Sequence, residues 1–255
     1  MESKNLIKII TTSWNETENI DRFILWYRTL IPNCDITILD NESDPEYFSY
    51  LKEVSKKHNI SLGIFKTNGK LGEEGLINIR NNYWKKFIDN YSYILIVDLD
   101  ELVTIDETKL VQSLNEDWDY CKLEGYNVIA EVLASPSKDF SKPVLFKTDN
   151  ISEMNLFAGG HNANPINKKG KLAVQYKSDE YKLYHFKWVN LKEGFLRTHK
   201  VANKGRTELT EKNKWSVHYA FEDKEHIKYC LSILETAEPH KILIWFYEIS
   251  LKNKL

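Results

Sequence analysis

Over the first hundred residues, short apolar runs alternate with segments of helical periodicity. That is the pattern left by βαβ units around a largely parallel sheet. Residues 6–11 (LIKIIT) predict a strand, after which Asn15 or Thr17 can cap a helix that puts Ile20, Phe23, Ile24, Tyr27 and Leu30 on one face. Pro32 and Asn33 stop it. Residues 35–39 predict a second strand ending at Asp40, followed by the polar turn NESDPE and a helix that buries Phe48, Leu51 and Val54. A third strand falls at 62–66. Residues 73–90 predict a helix with Leu76, Ile79, Tyr83 and Phe87 on one face, acidic at its start and carrying Lys85 and Lys86 nearer its end, as the helix dipole favours.

Residues 93–97 (YILIV) are apolar without alternation, as a central strand covered on both faces should be. This strand delivers Asp98-Leu99-Asp100-Glu101 at its carboxyl end, where open α/β sheets bind ligands. Beyond Asp106 the alternation gives way to a mixed region, with strands near 120–128 and 143–147, a polar loop at 158–170 and the segment His185-Phe186-Lys187-Trp188. From Glu222 the chain predicts one or two helices broken at Pro239. The second has a wide apolar face, expected to dock on the core or on a second copy, with a peripheral membrane contact as the lesser alternative.

Composition narrows the function. With 35 Lys+Arg against 37 Asp+Glu the net charge is −2, so no basic excess exists to meet a nucleic-acid backbone. Cys34, Cys121 and Cys230 are too far apart for a cysteine zinc site or a disulfide framework. The apolar patch near the N-terminus is too short for a signal peptide, and no apolar run spans a bilayer, so a cytoplasmic protein is expected. The 255 residues show no repeat and no long linker, which predicts one domain.

The acidic cluster is the sharpest chemical signal. Three carboxylates at a strand end repel one another and resist burial unless a cation or hydrogen-bond donors compensate them. Mg²⁺ or Mn²⁺, held by Asp98 and Asp100 and completed by diphosphate oxygens, is the expected answer. A haloacid-dehalogenase-like phosphohydrolase with Asp98 as nucleophile is the rival, although Leu102 stands where that motif wants Thr or Val, and the motif lies in mid-chain.

The segments TSWNETENI, ILDNESD and RNNYWK precede the D-x-D-E in order, and GYNVIAE, SKPVLFK, GGHNANP, YHFKW and WSVHY follow it. Together they resemble the family 2-type GT-A glycosyltransferases of bacteria and viruses, over most of the chain. The resemblance implies a GT-A fold, with a nucleotide-sugar-binding half at 1–105, an acceptor and metal half at 106–220 and C-terminal helices at 221–255. It implies transfer, in the inverting sense, from a nucleotide-diphosphate sugar, UDP-linked by preference, to a glycan or lipid-linked glycan acceptor. Thr12, Asn15 and Glu16 would lie near base and ribose, Asp40 at the uracil or ribose, and Asp98 and Leu99 beside ribose and metal. Asp100 and His185 would complete the metal shell.

Arg80 and Lys85 point some 140° apart on their helix, at about 100° per residue, so one of them reaches the diphosphate, and Arg80 is favoured. The base that an inverting transfer needs has three candidates: Glu131, which leads, His161 in its Gly-Gly-His loop, and Asp149. Trp188, Trp215 and Tyr126 are candidate sugar platforms. A non-catalytic sugar-binding protein of the same shape is a further alternative.

Overall fold

The computed structural model describes residues 4–176 and 181–253. β1 (Asn5–Ser13), α1 (Ile20–Leu30), β2 (Asp35–Asp40), α2 (Pro45–His58), β3 (Ser61–Ile64), α3 (Glu73–Asn82) and β4 (Tyr91–Ile96) follow in the predicted alternation. β1 pairs in parallel with both β2 and β4, and β2 with β3, so the strands lie in the order β3-β2-β1-β4. Each parallel pairing needs a crossover, and the helices supply it. Ile7, Ile9 and Ile10 on β1 and Ile94 and Leu95 on β4 are buried, some on each sheet face, which is why these strands do not alternate.

α1 is pinned beneath the acidic segment by its largest side chains. Trp26 Nε1 donates to the Val103 carbonyl at 2.8 Å and the Tyr27 hydroxyl to the Glu101 carbonyl at 3.2 Å. Two local expectations change. The cap of α1 is Asn19, not Asn15 or Thr17. Asn15 instead adopts φ 49° and exchanges hydrogen bonds with Asp44, tying the exit of β1 to the loop after β2. The helix expected over 73–90 is α-helical only to Asn82 and ends as a 3₁₀ turn at Tyr83–Phe87, a tightening common at helix C-termini.

The second half comprises β5 (Glu101–Val103), α4 (Glu107–Ser113), β6 (Tyr120–Ile129), β7 (Leu133–Pro136), β8 (Lys142–Lys147), β9 (Ile151–Glu153), β10 (Ile166–Asn167), β11 (Gln175–Tyr176), β12 (Lys182–His185), α5 (Leu191–Lys204), α6 (Glu208–Lys212), α7 (Asp223–Thr236), β13 (Glu238–Pro239) and α8 (Lys241–Lys252). β8 joins β4 antiparallel, and β6, β7 and β13 continue outward from it, each antiparallel to the last. β12 lies parallel to β6 and antiparallel to β5. The result is the expected α/β architecture, a mostly parallel central sheet flanked by helices and continued by mixed strands, consistent with a GT-A-like fold.

Pro239 does more than break a helix, because with Glu238 it forms β13 at the sheet edge. α8 docks Leu243 and Phe246 on the core, Phe246 edge-on to Trp26 at 4.8 Å, while Ile244, Trp245, Tyr247 and Leu251 stay exposed. Among the described residues no helix is long and apolar enough to cross a membrane.

Candidate functional site

The carboxyl ends of β1 and β4 open onto a cavity of about 600 Å³, closed on the far side by α5, the 216–221 turn and α7. Backbone pairing sets its floor. After β4 the chain turns tightly, with the Glu101 N–H donating to the Asp98 carbonyl at 3.0 Å and the Asp98 N–H to Glu101 Oε2 at 2.9 Å. β12 then places His185 opposite Glu101, and the Phe186 N–H donates to the Asp100 carbonyl at 2.7 Å. The imidazole is thereby brought to Asp100 by sheet register.

The acids of the D-x-D-E segment meet cations from three elements, α3, β8 and α5. Asp98 accepts from Arg80 Nη2 (α3) at 2.8 Å on one oxygen and from Lys142 Nζ (β8) at 2.8 Å on the other. Lys142 Nζ also lies 2.5 Å from Glu101 Oε1. Asp100 Oδ2 accepts from Arg197 Nη1 (α5) at 2.6 Å and stands 3.3 Å from His185 Nε2. Both arginines bridge: Arg80 reaches Glu73 at 3.2 Å, and Arg197 reaches Glu16 at 2.8 Å. His185 is held by Asn127 Oδ1 at 3.3 Å from its Nδ1 and by Phe140 stacked at 4.3 Å.

Burial and pairing pull these groups in opposite directions. Burial favours the neutral Asp98 carboxyl, but Lys142 and Arg80 overrule it and hold its pKa well below the usual range. For Asp100, Arg197 and His185 likewise overrule burial. Glu101 shifts the other way, because burial outweighs its share of Lys142. Burial pushes Glu16 up to about 7 against the pull of Arg197, with Asp100 adding repulsion. Five carboxylates, Glu16, Glu73, Asp98, Asp100 and Glu101, thus share Arg80, Lys142 and Arg197.

Of the donor-site residues expected from the sequence, Thr12, Glu16, Arg80, Asp98 and Leu99 line the cavity. Asn15 and Asp40 do not. Asn15 is engaged with Asp44, and Asp40 is buried and accepts from the Ser43 N–H at 3.2 Å. Lys85 turns away from the site to Glu153, at 2.7 Å.

Of the three candidate bases, only His161 is on the cavity wall. Glu131 pairs with Arg22 at 3.0 Å and Asp149 with Lys4 at 2.7 Å, both outside the lining. His161 Nδ1 has no hydrogen-bond partner, and burial and then Lys142 push the imidazole down to about 3. Its glycines serve the protein itself: Gly159, at φ 70°, donates its N–H to Glu73 Oε1 at 2.7 Å, and a Cβ there would stand 2.6 Å from His161 Cδ2. Of the candidate sugar platforms, Trp188 borders the cavity but is 2% exposed and packed with Ile129, Cys230 and Ile233, and Tyr126 and Trp215 do not line it.

Sequence reasoning missed Lys142, Lys187, Arg197 and Lys204. Lys204 Nζ lies over the Trp14 ring at 4.2 Å, at the cavity's other rim. A signal for Arg197 existed: the chain has five arginines among 35 basic residues, and arginine's planar fork is the group that bridges two carboxylates.

Among the described residues no group of three or more His, Cys, Asp or Glu side chains is arranged to hold a metal ion. Asp100 and His185 do present an oxygen and an imidazole nitrogen side by side, a donor pair that suits Mn²⁺ or Mg²⁺ with the remaining positions filled by ligand oxygens. Asp98, the third expected ligand, is taken up by Arg80 and Lys142.

The chain matches no family model and no curated protein. Solved structures resemble it distantly. S. aureus TarS is 15% identical with a TM-score of 0.43, over 78% of this chain and 39% of that one, so the chain spans about two fifths of its length. TarS 1-349 in complex with UDP is 14% identical with a TM-score of 0.40, over 86% and 73%. The mannosyltransferase PcManGT from Pyrobaculum calidifontis, in complex with GDP-Man and Mn²⁺, is 12% identical with a TM-score of 0.34, over 48% and 36%.

Proposed function

We propose that the chain is a glycosyltransferase that moves a sugar from a nucleotide-diphosphate donor, UDP-linked by preference, to a hydroxyl acceptor, with inversion at the anomeric carbon. The observation that carries this reading is the pairing of acids and bases at the sheet edge. Arg80, Lys142 and Arg197 converge on one cavity, where a diphosphate can replace carboxylates as their partner, and Glu16 and Asp98 on its wall would accept hydrogen bonds from ribose or sugar hydroxyls. The same cations then face the negative charge that grows on the leaving diphosphate.

Asp100 and His185 are the residues that would hold a divalent ion. When bound, the ion supplies Lewis-acid stabilisation of that leaving group. Arg197 has to yield its place on Asp100 for this, and the phosphates give it an alternative partner. His161, neutral in the resting cavity, is the proposed acceptor of the hydroxyl proton; an anionic diphosphate nearby raises its basicity. A phosphohydrolase is the weaker reading, because both Asp98 oxygens already accept from buried cations. The halves at 1–105 and 106–220, with the helices of 221–255, are read as one domain around this cavity.

The test is thermal stabilisation by UDP, GDP and their sugars, with and without Mn²⁺. Ligand at 100 times its Kd stabilises the fold by about 2.7 kcal/mol, a shift of several degrees. Stabilisation by a nucleoside diphosphate that is lost in Arg80→Gln supports the reading. No shift with any nucleotide, in either metal condition, ends it.

A further inference from the structure

Next to the acidic cluster, on the side of the 216–221 turn and α7, the cavity wall carries a cation with no ion-pair partner of its own among the described residues, Asp100 acting on it only at longer range. Lys187 Nζ lies 4.9 Å from the Trp188 ring centroid and 4.7 Å from that of Tyr219, and all three residues line the cavity. Among the described residues no ion pair joins Lys187 to a carboxylate, and the acids lining the cavity around it are bonded to other groups or exposed to solvent. Asp100 is held by Arg197, Glu225 accepts from the Glu222 N–H at 3.0 Å, and Asp139 is exposed at the rim.

A second observation points the same way. His226 is 4% exposed, walled by Trp188, Phe195 and Phe221 at ring distances of 5.6, 6.1 and 6.0 Å, and its Nε2 has no hydrogen-bond partner. His218 adds a second imidazole, 4.2 Å from the Tyr219 ring. A desolvated ammonium against aromatic faces is only partly compensated, and an anion completes it. The Tyr219 face beside it suits the apolar face of a sugar ring.

We propose that this wall of the cavity is an acceptor subsite for a hydroxyl compound bearing an anionic group, phosphate or carboxylate. Lys187 receives the anion, His226 and His218 flank it, and Tyr219 carries the ring. The proposal rests on the transferase reading for the word acceptor, but its anion preference is measured separately.

The experiment is calorimetric titration of the whole chain with glucose, glucose 6-phosphate and glucuronate, each with the donor cluster saturated by UDP and without UDP. A charge-assisted hydrogen bond is worth about 1.5–3 kcal/mol, so at least one anionic sugar is expected to bind about tenfold or more tighter than glucose. Whichever does so identifies phosphate or carboxylate as the group. Lys187→Met should bring it to the level of glucose while leaving UDP affinity within about threefold, and Lys187→Arg should keep most of the preference.

Equal binding of the three sugars overturns the proposal. So does a preference that survives Lys187→Met, or one that UDP abolishes, which would place the anion on the donor cluster. If UDP fails to bind the native chain, the transferase reading falls. The comparison of native chain with Lys187→Met, made without UDP, then still decides the anion site.

Discussion

Two neighbouring walls of the cavity solve opposite electrostatic problems. At the sheet edge, acids outnumber bases and every carboxylate of the D-x-D-E segment is tied to a cation or imidazole. On the side of the 216–221 turn and α7, Lys187 faces Trp188 and Tyr219 with no ion-pair partner among the described residues, Asp100 acting on it only at longer range, and His226 Nε2 has no hydrogen-bond partner. The first wall is a self-consistent network whose members are costly to remove one at a time, while the second is structurally idle until a ligand arrives. Substituting a lysine on each wall separates the two.

Lys142→Met leaves Asp98 and the fully buried Glu101 without their shared ammonium. Breaking a buried pair from one side costs about 3–5 kcal/mol. Lys187→Met strands no carboxylate, loses two cation–π contacts and relieves desolvation, so it should lie within about 1 kcal/mol of the native chain. Urea unfolding of both variants checks the contrast. Equal costs would mean that the two walls do not differ as described.

The next effect is a pH slope. Glu16 has its folded pKa raised to about 7 from 4.5, so the folded state holds a proton that the unfolded state has released between those values. Its contribution to stability therefore falls as pH rises from 4.5 to 7 and is level above, by at most about 3 kcal/mol. Asp98 and Asp100 are shifted down, so their contribution is already complete above pH 4 and is lost only below it. Glu16→Gln removes the titration. The difference in stability between native and variant chains should slope across pH 4.5–7, and a flat difference would refute the assignment.

The same contrast explains what could be read from the sequence. The parallel half was legible because burial on both sheet faces writes apolar runs such as YILIV, and because a strand's end marks where its following residues gather. Asp98 and Asp100 were found in that way, Arg80 from its phase on the preceding helix, and His185 only through the family resemblance. α5 was not foreseen, and with it went Arg197, since its position over Asp100 depends on Gly194 letting the helix approach Trp188, where a Cβ would stand 2.8 Å from the ring. The compensation of the acidic cluster was anticipated as a metal ion. The structure supplies Lys142 and two arginines from distant segments, which no local spacing announces. Glu131 and Asp149 looked available for the same reason: their partners, Arg22 and Lys4, are remote in sequence.

The smallest expected effect tests how firmly the sheet holds His185. Gly125 on β6 faces the backbone of Phe140, and a Cβ there would sit 2.4 Å from the Phe140 carbonyl carbon. Backbone cannot rotate out of the way as a side-chain tip can, so Gly125→Ala must displace the Lys138–Phe140 turn. Overpacking of this kind costs about 1–3 kcal/mol, with the low end expected because the turn is at the surface. Phe140 is the ring stacked on His185, so the displacement frees the imidazole beside Asp100. The variant should therefore lose little stability yet weaken Mn²⁺-dependent nucleotide binding more than metal-free binding. Equal weakening in both conditions would mean that Phe140 braces the cavity generally and that His185 does not depend on it.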